Sequence, residues 1–177
     1  MPPSPPIPLR RSPDSRGYVT ALPESVQRAV ALAVCPSDQG PDQVLAVLRP
    51  AEHDDPLGGL WGLPAATLRP GESQQDAVAR VFRDKLGLIP FSNAAAVADG
   101  AQQRDGHTLT MTLYSVSWSG GDLRINLDGM RPQDPPAGTL YESWRWARPD
   151  ELRPAAERGS LCAQLYLGRL NSGIRDG

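Results

Sequence analysis

Four of the charged side chains between residues 72 and 85 are candidates for phosphate chemistry. Glu72 and Asp84 are carboxylates, and Arg80 and Lys85 are cations. Carboxylates that share one face of a helix can hold Mg²⁺ or Mn²⁺, which clamps a diphosphate and activates water. Cationic side chains can contact a phosphate directly. Lys85 is notable because it is the single lysine of the chain.

The composition leaves any phosphate partner to be bound by such local groups. The chain has 177 residues and a formal net charge of -2, so no general attraction to nucleic acid or to an anionic membrane is expected. A hydrophobic fraction of 40% is enough for a core. No apolar run has the length of a membrane span, and Cys35 and Cys162 lack the spacing of a zinc site or a disulfide framework. These features predict a cytoplasmic protein with one domain.

Proline content and hydrophobic patterning divide the chain into three parts. Seven of the 19 prolines fall in residues 1–24, which we interpret as a flexible tail. A folded domain is predicted over residues 25–171. Residues 172–177 are predicted to form a flexible C-terminus.

The apolar pattern of this domain changes between a strand-like and a helix-like period. A helix is predicted from Ser73 to Leu86, because Ser73 and Asp76 have the spacing of a capping box and Gly87 can end the helix. Alternating or short apolar runs predict strands. The strands lie near residues 30–35, 44–48, 57–64, 91–98, 107–118 and 143–147, with turn material at 99–106, a long loop at 126–138, a helical turn at 149–152 and a last helix from about residue 160. This order predicts an α+β fold.

The segment around the predicted helix resembles the box of the Nudix superfamily, to which MutT-like proteins belong. That box reads G-x5-E-x7-R-E-U-x-E-E-x-G-U, with U an aliphatic residue. Glu72 matches its first glutamate, Arg80 its arginine, and Gly87 with Leu88 its closing pair. The resemblance covers about residues 26–170 and implies a Nudix-type α/β/α sandwich with a mixed β-sheet.

The box is degenerate at the positions where the family carries metal-binding carboxylates. Val81 replaces the glutamate that follows the arginine, while Asp84 and Lys85 replace the later glutamate pair. The resemblance therefore implies Glu72 and Asp84 as the remaining catalytic residues and metal ligands, with Glu142 as a further ligand. An ammonium at Lys85 would repel the ion, so Mg or Mn is expected to be weakly held if it binds at all.

Two of these positions leave alternatives open. Val81 either joins the apolar core or faces a former metal position, in which case Val81→Glu with Lys85→Glu should raise metal binding. Lys85 is either a solvated surface lysine or a phosphate contact. Arg80 is a second candidate for phosphate binding and is expected to form an ion pair with Glu72 or Asp84.

Aromatic and histidine side chains add further candidates. Trp61 and Tyr114 could stack on a nucleobase, or they could be ordinary core or rim residues. His53 and His107 are interpreted as surface-loop or strand-start residues. Residues 54–55, two aspartates, either line the mouth of the site or belong to a solvated loop.

Two functions follow from the resemblance and from the departures. The first is a Nudix hydrolase that cleaves a nucleoside diphosphate linked to another moiety, with impaired or unusual metal dependence. The alternative is a catalytically inactive Nudix-fold module that binds a nucleotide or a protein. Both imply a nucleotide-type small-molecule partner or a protein, with no membrane or nucleic acid, and family members commonly form homodimers.

Overall fold

The computed structural model describes most of the predicted domain. The described residues are 25–37, 42–52, 54–88, 93–120, 123, 125 and 141–173. The predicted tail at 1–24, the predicted loop at 126–138 and His53 lie outside them. None of the helices in the described ranges has the length and apolar content that a membrane span requires.

Seven strands form two sheets. The strands are β1 (Ser25–Pro36), β2 (Val44–Leu48), β3 (Trp61–Gly62), β4 (Ala65–Thr67), β5 (Ala95–Arg104), β6 (His107–Trp118) and β7 (Ser143–Ala147). The larger sheet has the order β4-β1-β6-β5, in which β1 and β6 run parallel and the other pairs are antiparallel. The smaller sheet, β3-β2-β7, is antiparallel.

The helices lie on both sides of the larger sheet. Helix α1 (Gln74–Arg80) begins at Ser73, whose side chain accepts a hydrogen bond from the Asp76 backbone N–H. Helix α1 continues into a π-helical turn at Val81–Lys85. The helix and the turn together confirm the helix predicted in this segment. A 3₁₀ turn at Pro149–Leu152 leads into α2 (Arg153–Glu157) and α3 (Leu161–Gly173).

The alternation of side chains along the strands divides the core into two layers. On one face of the larger sheet, Leu32 and Tyr114 pack with Phe82 of the π-helical turn. On the other face, Met111 and Leu113 pack with residues of α2 and α3 such as Leu161. Because the mixed sheet is covered by helices on both faces, the predicted α/β/α sandwich is confirmed.

The predicted strand at 57–64 is wrong in its extent. Leu57 to Leu60 form turns instead, and the backbone N–H of Leu57 donates to the Asp55 carboxylate at 3.0 Å. The strand β3 contains only Trp61 and Gly62. Pro64 has no N–H to donate to a strand ladder, and pairing resumes after it in β4, on the other sheet.

The predicted turn at 99–106 is also wrong. Strand β5 continues through this segment to Arg104, and its residues pair with β6 down to the Arg104–His107 pair. The polar composition was misleading because this strand lies at the edge of its sheet and much of it is exposed. The turn is limited to Asp105 and Gly106, where Gly106 has a φ of 77°.

Candidate functional site

A cleft of about 380 Å³ lies against the larger sheet, beside the helical segment that the sequence singled out. Its walls come from β1, β4, β6, the loop after β2 and the start of α3. Among the described residues that line it, the cationic side chains are Arg49, Arg80, Lys85 and Arg104, and the acidic one is Asp55. The cleft therefore suits an anion.

Lys85 lines this cleft and is not a solvated surface lysine. Its Nζ atom donates a hydrogen bond of 2.6 Å to the backbone carbonyl of Ala65 and lies 5.4 Å from the centroid of the Tyr141 ring. Burial lowers the pKa of this ammonium to about 8, with further contributions from the charges of Arg49 and Arg80. The surface alternative is thus wrong, and the contact with a phosphate stays a prediction.

The π-helical turn contributes to this placement. The backbone N–H of Leu86 donates to the carbonyl of Val81 at 3.1 Å, five residues earlier, instead of to the fourth residue back as in an α-helix. Such turns are uncommon and are frequent at functional sites because they change which side chains face a neighbouring element. Here the last residue of the turn, Lys85, reaches the carbonyl of Ala65 at the start of β4.

Arg80 and Glu72 form an ion pair that is largely buried. The Nε and Nη2 atoms of Arg80 donate to the two carboxylate oxygens of Glu72 at 2.7 and 2.8 Å, and Nη2 also reaches the Thr67 carbonyl at 2.8 Å. Glu72 further accepts the backbone N–H of Arg69 at 2.8 Å. Mainly through the hydrogen bond from Arg80, the pKa of Glu72 falls to about 2. Of the two expected partners of Arg80, Glu72 and Asp84, the structure has the pair with Glu72, which holds the loop before α1 against the helix.

The other two acidic candidates lie elsewhere. Asp84 is exposed and pairs with its neighbour Arg83 at 3.0 Å. Glu142 is exposed, and its backbone N–H donates to the carbonyl of Leu48. Neither lines the cleft. Within the described part of the chain, no three His, Cys, Asp or Glu side chains come close enough to hold a metal ion together.

The described residues therefore do not fit the divalent metal that the family implies. Both oxygens of Glu72 already accept hydrogen bonds from Arg80 and the backbone of Arg69. The side chain that reaches the Ala65 carbonyl is an ammonium, whose positive charge repels a cation. A hard cation needs several oxygen ligands, and this donor set offers too few.

The structure decides between the alternatives for Val81. Its side chain is 0% exposed and packs in the core layer with Val78 and Phe82. Val81 is therefore a core residue and does not face a former metal position.

The two aromatic candidates lie outside the cleft. The Arg145 guanidinium covers the Trp61 ring at 4.2 Å from its centroid. Tyr114 is 6% exposed, belongs to the core layer on the α1 side and donates its hydroxyl to Gln74 at 2.8 Å. Both positions match the core or rim alternative.

Three basic residues of the cleft, Arg49, Arg104 and His107, were not selected as site residues from the sequence. Arg49 follows the buried strand β2 and pairs with Asp55 at 2.8 Å, which places Asp55 at the cleft and not in a solvated loop. Arg104 and His107 flank the turn between β5 and β6 and line the cleft as well. The basic residue after a buried strand was a usable signal for Arg49. No local pattern marks Arg104, because the polar composition of residues 99–106 was interpreted as a turn.

The buried ion pair leads to a prediction about stability. Glu72→Gln should lower the free energy of unfolding by about 2 kcal/mol, because Arg80 would keep a neutral partner in a place where its side chain is 11% exposed. Asp84→Asn is the matched control, since its carboxylate is exposed and should change stability by less than about 0.5 kcal/mol. Thermal or urea unfolding of both variants measures the difference. Equal stabilities would contradict a structural role for the pair.

The same variant tests the titration of Glu72. A folded-state pKa of about 2 lies below the ordinary value of 4.5, so the stabilisation by the ion pair is present above 4.5 and is lost as the pH falls toward 2. The difference in Tm between the wild type and Glu72→Gln should therefore be largest near neutral pH and should shrink in acid. A difference that stays constant with pH would show that the pair has no charge-dependent contribution.

Comparison with known proteins agrees with this architecture. A family model described as NUDIX domain matches residues 26–163. A MutT protein from Methanosarcina mazei Go1 is similar in structure, with a TM-score of 0.61, 14% identity, and coverage of 86% of this chain and 99% of that chain. A C. elegans Ap4A hydrolase has a TM-score of 0.54, 13% identity and coverage of 85% and 99%. The C-terminal domain of mouse MUTYH, in a complex with human PCNA, has a TM-score of 0.52, 22% identity and coverage of 85% and 90%.

No curated protein is significantly similar in sequence. At these identities the structural neighbours show a shared fold. The family model covers more than half of the chain and includes the segment with Glu72, Arg80 and Lys85. The chain belongs to the NUDIX domain family.

Proposed function

We propose that this Nudix domain binds a nucleotide-type ligand through its phosphates, using cationic side chains in place of a divalent metal ion. The observation that carries the proposal is the position of the Lys85 ammonium. It lies in the cleft, it donates to a backbone carbonyl, and no carboxylate among the described residues pairs with it. A bound phosphate would supply the missing negative charge.

The geometry around Lys85 supports phosphate as the ligand group that its ammonium contacts. An ammonium has three N–H donors, and one of them is directed at the Ala65 carbonyl. Two donors remain for a ligand. Arg49 and Arg80 lie near enough to lower the pKa of Lys85, so the local potential is positive. An anion at this place would relieve that repulsion.

The two arginines have carboxylate partners that keep them in place. Arg49 is paired with Asp55, and Arg80 with Glu72. The Arg80 guanidinium contacts Glu72 and Thr67 through Nε and Nη2, so its Nη1 group can donate to a phosphate. Arg49 contributes positive charge to the cleft. Lys85 is therefore expected to make the central contact, and the arginines to flank it.

A binding panel with and without metal tests this proposal. ADP, ATP, NAD and inorganic pyrophosphate should be titrated by calorimetry in the presence of Mg²⁺, Mn²⁺ or EDTA. At least one of them should bind with the same affinity in EDTA as in metal, because the protein supplies the positive charge itself. Binding that appears only with Mg²⁺ or Mn²⁺ would contradict the proposal, as would no binding of any member by a folded sample.

Hydrolysis of the bound ligand is the second candidate. It is favoured by the similarity to solved structures of hydrolases, among them a NUDIX hydrolase from Nitrosomonas europaea with a TM-score of 0.57 and 18% identity. Phosphate release from the same panel measures it directly. Turnover that is lost in EDTA would favour a hydrolase whose metal ligands include residues outside the described ranges, while binding without turnover would favour the inactive module.

A further inference from the structure

The cleft carries a cation at each of its two ends. Lys85 lies at the end where Ala65 of β4 pairs with Ala31 of β1. Arg104 lies at the opposite end, where it pairs with His107 and His107 pairs with Ser25. These two ends of the cleft are six residues apart along β1, from Ser25 to Ala31, which corresponds to about 20 Å along an extended strand.

The floor between these two ends is apolar along β6, and Gln27 of β1, which pairs with Leu109, adds one polar side chain. Leu109 and Met111 follow His107 at every second position of β6, so all three side chains share one face of the sheet, and all three line the cleft. Both apolar residues are 8% exposed, and Leu161 at the start of α3 contributes to the opposite wall. A ligand that spans the cleft would therefore contact hydrocarbon in its middle.

Arg104 is exposed at the cleft, and hydrogen bonds orient its side chain. Its Nη2 atom donates to the Gln102 side chain at 3.0 Å and lies 3.4 Å from the carbonyl of Gly159, the residue before Ser160 of the cleft wall. Within the described part of the chain, its Nη1 atom makes no hydrogen bond. These contacts orient the guanidinium and leave one side of it open to an anion.

We infer that the cleft takes an elongated ligand with an anionic group at each end and an apolar middle, of the class of α,ω-bisphosphates. This inference rests on the proposed phosphate contact of Lys85 and adds a second anion at Arg104 and His107. A volume of about 380 Å³ is near the lower end for ligand pockets. Spread over about 20 Å, it suits one extended chain better than a stack of rings.

A matched pair of ligands tests the second anion. Dodecyl phosphate has one phosphate, and dodecanediol bisphosphate has the same chain with a phosphate at both ends. Isothermal titration below the critical micelle concentration should show the bisphosphate binding at least tenfold more tightly to the wild-type protein. Arg104→Gln should remove this advantage and leave the affinity for dodecyl phosphate unchanged.

The controls separate this inference from the proposed function. Arg158→Gln removes one positive charge from an exposed residue that does not line the cleft, so it should keep the bisphosphate advantage. Equal affinities for the two ligands, both reduced by Lys85→Met, would overturn the second anion site and keep the phosphate contact of Lys85. If Lys85→Met changes neither affinity, the proposed function itself fails. Hexanediol bisphosphate is too short to reach both ends of the cleft, so it should bind no more tightly than hexyl phosphate. If it does bind more tightly, the two anion sites are not about 20 Å apart.

Discussion

Lys85→Met is expected to weaken the binding of ADP and inorganic pyrophosphate about 30-fold, which corresponds to about 2 kcal/mol for a hydrogen bond to a charged group. Methionine has a similar length and no charge, so it removes the donors that face the cleft. The fold should be retained, because the ammonium is partly buried without a carboxylate partner and replacement of a buried charge by an apolar side chain is often neutral or stabilising. Calorimetric titration together with a Tm measurement checks both expectations.

The matched control for this variant lies on the same π-helical turn. Arg83 is a cation whose side chain is 64% exposed, and it does not line the cleft. Arg83→Met should therefore change the affinity less than twofold, which would separate the local contact from a general change in net charge. Equal losses in the two variants would contradict a specific phosphate contact at Lys85.

Val81→Glu is expected to lower the free energy of unfolding by about 4 kcal/mol or more. The side chain is 0% exposed in the layer between α1 and the sheet, so a glutamate there would place a carboxylate among apolar groups without a hydrogen-bond partner. Much of the stability of a typical domain would be lost. Urea unfolding monitored by tryptophan fluorescence measures the change.

Two further variants show whether the cost comes from burial of the charge. Arg83→Glu places the same carboxylate on an exposed position of the same turn and should cost less than about 1 kcal/mol. Val81→Ala should cost about 2 kcal/mol through the lost packing alone. A stable Val81→Glu protein that binds more Mn²⁺ would contradict the burial of Val81 and would support the expectation that Val81→Glu with Lys85→Glu raises metal binding.

The local elements of the fold were accessible from the sequence because their signals are short-range. Ser73 and Asp76 predict the start of the box helix, since a cap depends on residues three apart, and the structure has this hydrogen bond. The alternation along β6 places Leu109 and Met111 in one core layer and Tyr114 in the other, because the period of two is a property of any strand. The Nudix resemblance around Glu72 and Arg80 likewise led to the correct fold.

The site depended on contacts that only the tertiary structure decided. The partner of Lys85 is a carbonyl 20 residues earlier in the chain, and Arg104 lies in the part of β5 that the sequence predicted as a turn. Whether Val81 is buried depends on how the helix rotates against the sheet, and the π-helical turn alters the phase that a regular helix would have. Local patterns determine which segments become helices and strands, whereas the charge of the cleft results from side chains that meet only when those segments pack.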